Sequence, residues 1–257
     1  MEIIAIKDGT IEQNLRQLGY SSSLCLRLRK RMGLIEVQGV PRKIVDSVKK
    51  DEIFSIYLED SKKREIIPYS GVDVRFIYED EDIAVIDKPS GLAVINTREH
   101  YGKSLENVLA AKWGEFTYRP VNRLDKDTSG LMIIAKNQLA HSILGKNHIK
   151  RKYLALCEGV FKEEGEVNAP IGRKEGSIME RCITPLGKNA ITKYKIIENY
   201  STYTLVELEL LTGRTHQIRV HMASIGHALL GDSLYNLNYE KDKILDNGYI
   251  LNRQALH

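Results

Sequence analysis

The sequence predicts an α+β protein with a small N-terminal α/β domain over residues 1–60, a linker at 61–72, and a domain over 73–257 built on a large, mostly antiparallel sheet. Three features carry this reading. Runs with strand character recur from Val74 onward, helical periodicity is confined to short segments between them, and the basic residues concentrate near the N-terminus.

Taken in order, Ile11, Leu15 and Leu18 recur at helical spacing, and Ser21-Ser22-Ser23 is suited to cap a second short helix carrying Leu24 and Leu28. Gly33 stops that helix, Ile35 to Val37 reads as a strand, Gln38-Gly39 turns it, and Ile53 to Leu58 reads as another. Residues 21–50 hold eight basic residues against two acidic ones, more than the whole chain's excess of +4, with Arg27, Lys30 and Arg31 expected largely on one side of the second helix. Ser61 to Gly71, with its Lys, Arg and Pro residues, reads as the linker. Then VRFIYED and IAVIDKP, divided by Asp80-Glu81-Asp82, form a hairpin signature. Lys103 to Trp113 reads as an amphipathic helix with Leu105, Val108, Leu109 and Trp113 on one side. Leu131 to Ala135, Tyr153 to Val160, Ala190 to Ile197 and Tyr203 to Leu211 read as strands, and Thr215 to Ile225 as a helix.

The length of 257 residues suffices for a sizeable core. No apolar run approaches the roughly 18 residues of a membrane span, and the N-terminus has no targeting pattern, so a cytoplasmic protein without a membrane partner is expected. Cys25, Cys157 and Cys182, odd in number and widely spaced, fit reduced thiols better than disulfides or a metal site. His216 and His221 are five apart, not the helical ligand spacing, and neither a GxGxxG nor a phosphate loop occurs. No metal and no cofactor are expected.

Two stretches carry chemistry. In VNRLDKDTSGLMIIAK, Val121 to Lys136, a polar loop empties into a buried strand, a firm mount for a reactive group. On the residues alone, Asp125 and Asp127 are read first as side chains satisfying the backbone donors of a tight turn closed by Gly130. In LTGRTHQIRVH, Leu211 to His221, Arg214, Thr215, His216, Gln217 and Arg219 crowd the start of a helix, where anions are favoured.

Four ordered segments, IYEDEDIAVIDKPSGLAV, VNRLDKDTSGLMIIAKN, RKYLALCEG and LTGRTHQIRVHMASIGHALLGDSLY, with RQALH closing the chain, resemble the RluA-type family of RNA pseudouridine synthases. The order of elements over residues 10 to 60 resembles the alpha-L RNA-binding motif of a ribosomal small-subunit protein. The resemblance implies the pseudouridine synthase fold, a mixed, mostly antiparallel central sheet flanked by helices, and an isomerase that acts on structured RNA. Ribosomal RNA is the first expectation and transfer RNA the second, with a monomeric enzyme.

By the same resemblance Asp125 is the catalytic aspartate, Arg219 its ion-pair partner, and Tyr153 the active-site tyrosine. Arg123 is expected to enter the space vacated when the target uridine leaves its stack. Asn122, Arg214, His216, Gln217, Arg27, Lys30 and Arg31 are expected RNA contacts or supports of the loop. As nucleophile or as base at ribose C2′, Asp125 needs a compensating cation if the site is enclosed. Two departures stand out. Asn122 occupies a place where the family most often has His, and the family pattern continues past RQALH into a strand, so a shortened product is expected. Rival readings are an RNA-binding protein that kept the fold without catalysis, and a hydrolase using Asp125 and Asp127 as paired carboxylates.

Overall fold

In the computed structural model, which describes residues 2–57, 65–97, 99–146, 149–245 and 248–257, Thr10 and Ser21 start the first two helices as local chemistry dictates. Thr10 accepts from the Gln13 amide at 3.1 Å while Gln13 accepts from the Thr10 amide at 2.9 Å, a reciprocal capping box. Ser21 accepts from the Leu24 amide at 3.3 Å. The chain divides into two compact units, 1–87 with 96–123 and 131–149, and 88–95 with 124–130 and 150–257.

The first unit opens with β1 (Glu2–Ile4), β2 (Gly9–Thr10), α1 (Ile11–Gln17), α2 (Ser22–Lys30), β3 (Ile35–Val37), β4 (Val40–Pro41), β5 (Ser47–Val48) and β6 (Ile53–Ile56). β1, β6, β3 and β4 form one antiparallel sheet in that order, and β2 pairs with β5. Ile11, Leu15, Leu24, Leu28, Ile35, Phe54 and Ile56 are the buried centre of this half. β7 (Arg75–Glu79) and β8 (Ile83–Lys88) make the expected hairpin, with Asp80 accepting from the Asp82 and Ile83 amides at 2.8 and 2.7 Å to close its turn. α3 (Leu105–Trp113), β9 (Gly130–Ala135) and α4 (Gln138–Leu144) complete the unit, β9 lying beside β8.

α4 is absent from the expected elements. Asn137 caps it, accepting from the Ala140 amide at 2.9 Å, and Leu139 and Ile143 pack against the α1–α2 core. Ser142 also accepts from the Ser21 amide at 2.8 Å. Residues 61–64 of the expected linker lie outside the described residues, and the rest is bound to α3, the Asn107 side chain donating to Ile67 O at 2.8 Å and Tyr69 N donating to Asn107 O at 3.0 Å.

The second unit contains β10 (Arg151–Glu158), β11 (Gly165–Asn168), β12 (Ile171–Arg173), β13 (Arg181–Ile183), β14 (Ile191–Asn199), β15 (Tyr203–Leu210) and α5 (Gln217–Ser224). β10, β15, β14 and β11 form an antiparallel sheet in that order, while β12 pairs only with β13 among the named strands described. β15 alternates strictly, burying Thr204, Val206, Leu208 and Leu210 against Ile218 and Met222 of α5. On the other face Lys152, Glu209, Lys193 and Glu166 stand in register across the four strands, an alternating charge row suited to water. Over residues 73–257 the named strands group as sheets of four, three and two among the described residues, mostly antiparallel as expected. Strand identity is local and readable, whereas the pairing of edges is not.

Candidate functional site

Leu124 is buried at the start of the 124–130 loop, and the residues after Asp125 are tied down one after another. Lys88, fully buried, donates its ammonium to Lys126 O at 2.9 Å and to Pro89 O and Leu92 O at 2.8 and 3.0 Å. The Ser90 hydroxyl donates to Asp127 O at 3.0 Å. Gln254 donates to the Thr128 hydroxyl at 3.3 Å, Arg253 to the Ser129 hydroxyl at 3.1 Å, and His257 Nδ1 lies 3.0 Å from that same hydroxyl. A loop so held presents Asp125 in a fixed place.

Burial pulls the Lys88 pKa down to about 8, with Asp127 opposing, Arg253 adding and Asp125 opposing. An unfolded lysine titrates near ~10.4, so between about pH 8 and ~10.4 the unfolded chain binds the extra proton and stability rises with pH. The contribution amounts to ~3 kcal/mol across the window. Urea midpoints at about pH 7.5 and about pH 9.5 should rise in the wild type and stay level in Lys88→Met. Equal slopes would remove Lys88 as the source.

The Asp125 side chain is 28% exposed, with Arg219 Nη1 at 3.9 Å and His216 Nε2 at 4.0 Å from Oδ2. Among the described residues neither Asp125 nor Asp127 uses its carboxylate to accept a backbone hydrogen bond, so the turn-closing reading fails for both. Asp127 lines a cavity with Ser90, Gly91, Tyr249, Arg253 and His257, of which Asp125 is not a wall.

Arg219 departs from its expected role in one respect. Its strongest partner is Asp232, with Nε to Oδ2 and Nη2 to Oδ1 both at 2.7 Å, leaving Nη1 toward Asp125. Asp232 has no exposure and also accepts from the Leu234 and Tyr235 amides at 3.0 and 3.2 Å. Burial disfavours the guanidinium charge, but the hydrogen bonds and charge of Asp232, then Asp125 and Tyr235, outweigh it and raise the Arg219 pKa. The reason Asp232 wins is geometric: a planar fork meets a carboxylate best side-on, and only one acid takes that position. Gly231, with φ +71°, brings the chain to Asp232 beside Arg253, whose carbonyl oxygen a Cβ at Gly231 would meet at 2.2 Å.

His216 caps α5 from the left-handed region, φ 57°, and its Nδ1 is 2.7 Å from the Tyr235 hydroxyl. That hydroxyl accepts from the Arg181 amide at 2.8 Å, and the Tyr235 ring lies 4.9 Å from the Arg219 guanidinium carbon. Burial raises the Tyr153 pKa, with Arg151 opposing and Asp125 adding, so its phenol stays protonated at neutral pH.

The remaining expected residues scatter. Gln217 is buried and fully used in the loop, accepting from Arg214 N and the Thr212 hydroxyl and donating to Ile191 O and the Thr192 hydroxyl at 2.9 to 3.0 Å. It is scaffold, with nothing left for RNA. Arg214 donates Nε to Asn189 O at 2.9 Å. In the first unit, Asn122 bonds Leu131 O at 3.1 Å and the Ile133 amide at 2.8 Å, which fastens the chain entering the loop to β9. Arg123 is exposed. Arg27 donates to Gln138 of α4, while Lys30 and Arg31 are exposed, Arg31 after the helix has ended. Sequence reasoning gave no role to Lys88, Ser90, Asp232, Tyr235, Arg253 or Gln254, although DKPSG, GDSLY and RQALH were the segments to inspect.

The family model for RNA pseudouridylate synthase matches residues 82–224. The chain is 40% identical over 221 residues to the protein named uncharacterized RNA pseudouridine synthase YhcT of Bacillus subtilis, covering 82% of this chain and 70% of that one. It is 37% identical over 237 residues to the ribosomal large subunit pseudouridine synthase D of Haemophilus influenzae, 86% of this chain and 71% of that one. Among solved structures, human RNA pseudouridylate synthase domain containing 1 superposes with a TM-score of 0.60 at 25% identity, over 74% of this chain and 78% of the other.

Proposed function

From the premise that this chain belongs to the RNA pseudouridylate synthase family, and is therefore an isomerase, we propose that it converts uridines of structured ribosomal RNA to pseudouridine with Asp125 as its catalytic residue. The observation that carries the assignment is a part-exposed carboxylate free of turn duties, set beside Arg219 and His216 on a loop pinned at four successive residues. The reaction breaks the N1–C1′ bond, turns the bound uracil, joins C5 to C1′, and moves a proton from C5 to solvent while N1 acquires one. The Asp125 carboxylate serves as nucleophile at C1′ or takes the C2′ proton, and Arg219 Nη1 lies beside it in either role. The Tyr153 ring stacks on the uracil and its protonated hydroxyl stands ready for the exchange at C5.

Ribosomal RNA is favoured over transfer RNA by relatives named for the large ribosomal subunit. Arg123 fills the stack left by the uridine, and residues 1–60 extend the footprint as an RNA-binding domain joined through 61–72, acting in a cytoplasmic monomer. No helix among the described residues is long and apolar enough to cross a membrane. The test is release of tritium from C5 of labelled uridine in ribosomal RNA, with positions mapped in cells with and without the gene. Loss of specific pseudouridines and of label release is expected without the enzyme or with Asp125→Asn.

RNA affinity should fall steeply with salt, because Lys and Arg contacts release counterions. Replacing exposed Lys30 and Arg31 with Ala should weaken binding and flatten the log K against log salt slope by roughly 1.4 to 1.8. Filter binding at several salt concentrations reads this directly. An unchanged slope would remove these two side chains from the RNA contact.

A further inference from the structure

We propose that Tyr235 and His216 form a positioning pair for Asp125, in which the Tyr235 hydroxyl donates to His216 Nδ1 and so presents the Nε2 proton to the Asp125 carboxylate. This rests on the reading of Asp125 as the catalytic residue.

The hydrogen-bond directions support the pair. The Tyr235 oxygen accepts from the Arg181 amide at 2.8 Å, leaving its own proton for His216 Nδ1 at 2.7 Å. A neutral imidazole that accepts at Nδ1 carries its proton on Nε2, the nitrogen 4.0 Å from Asp125 Oδ2. That separation exceeds a hydrogen bond by about 1 Å, and such bonds commonly tighten when substrate arrives. His216 also sits at φ 57°, a region that costs a non-glycine residue energy, and its side chain does not cap α5. The strained backbone holds the ring between Tyr235 and Asp125 instead.

The charged groups around the ring set its state. Burial holds the His216 pKa below the usual histidine value, with Arg219 of α5 and Arg181 of β13 acting in the same direction and Asp125 and Asp232 opposing. At neutral pH the ring is therefore uncharged and its single proton orients the carboxylate without neutralising it. As pH falls, the imidazolium pairs tightly with Asp125 and the reaction slows. A hydroxyl donating to Nδ1 favours the neutral ring, so its removal makes protonation easier.

Tyr235→Phe in the full-length enzyme keeps the ring against Arg219 and removes only that donor. We expect kcat on labelled RNA to fall about tenfold near neutral pH, KM to change less than about twofold, and the acid limb of kcat to move to higher pH. His216→Gln, which keeps an amide N–H but cannot titrate, should recover part of the rate lost in His216→Phe and flatten the limb's dependence on Tyr235. Imidazole ¹⁵N shifts of the wild type should show Nδ1 unprotonated and Nε2 protonated. Thermal melts identify any variant that fails to fold, and the ¹⁵N result then stands alone. A proton on Nδ1, or wild-type kcat and limb in folded Tyr235→Phe, would overturn the pair. If Asp125→Asn is inactive while Tyr235→Phe behaves as wild type, only this inference fails; if Asp125→Asn is active, the site assignment itself is lost.

Discussion

Asp125→Asn is expected to lower kcat by about 10⁴-fold or more, the scale seen when a single group central to bond-making is neutralised. The substitution changes almost nothing else. Asparagine has the same shape, the side chain is part-exposed, and the carboxylate closes no turn, so stability should shift by less than about 1 kcal/mol. RNA affinity should remain within a few-fold, because phosphate contacts come from other residues. Asp127→Asn provides the contrast. Asp127 lines a cavity whose walls do not include Asp125, so label release should stay near wild type, and free uracil should appear in neither case. Label release by Asp125→Asn at the wild-type rate would sink the assignment.

Arg219→Met should damage both folding and rate. It strands Asp232, which has no exposure and would retain only the two amide donors, and breaking a buried pair in this way costs ~3–5 kcal/mol. Lysine is no remedy, since an ammonium cannot make the fork-to-carboxylate contact and reach Asp125 together. A second substitution separates the two duties of this arginine. Arg219→Met with Asp232→Asn removes the stranded charge and should regain most of the urea stability, while kcat stays low because Asp125 still lacks its cation. Recovery of both in the double variant would reduce Arg219 to a structural residue.

The helices and strands that the sequence announced were those with a strong period and a clear stop. α1 and α2 follow from Ile11, Leu15, Leu24 and Leu28 with caps at Thr10 and Ser21, and β15 follows from strict alternation. α4 escaped because Gln138 to Leu144 has only weak patterning, and its purpose, covering the α1–α2 core with Leu139 and Ile143, is tertiary. The site divides likewise. Asp125, Tyr153 and Arg219 were proposed from the motifs, but the choice of Asp232 over Asp125 as the side-on partner of Arg219 depends on a fold-back of 13 residues that no spacing rule encodes. Gln217 illustrates the converse: a polar residue in a conspicuous motif whose every group is spent inside the protein.

The loop after Asp125, fastened at Lys126, Asp127, Thr128 and Ser129, implies a division of labour between catalyst and substrate. The ordering entropy of this loop is settled when the chain folds, not when RNA arrives. A mould this stiff does not follow a nucleoside into a helix. The adjustment is then expected to fall to the nucleic acid, so uridines in loops or single strands, where flipping costs least, should be modified faster than the same uridines placed in a duplex.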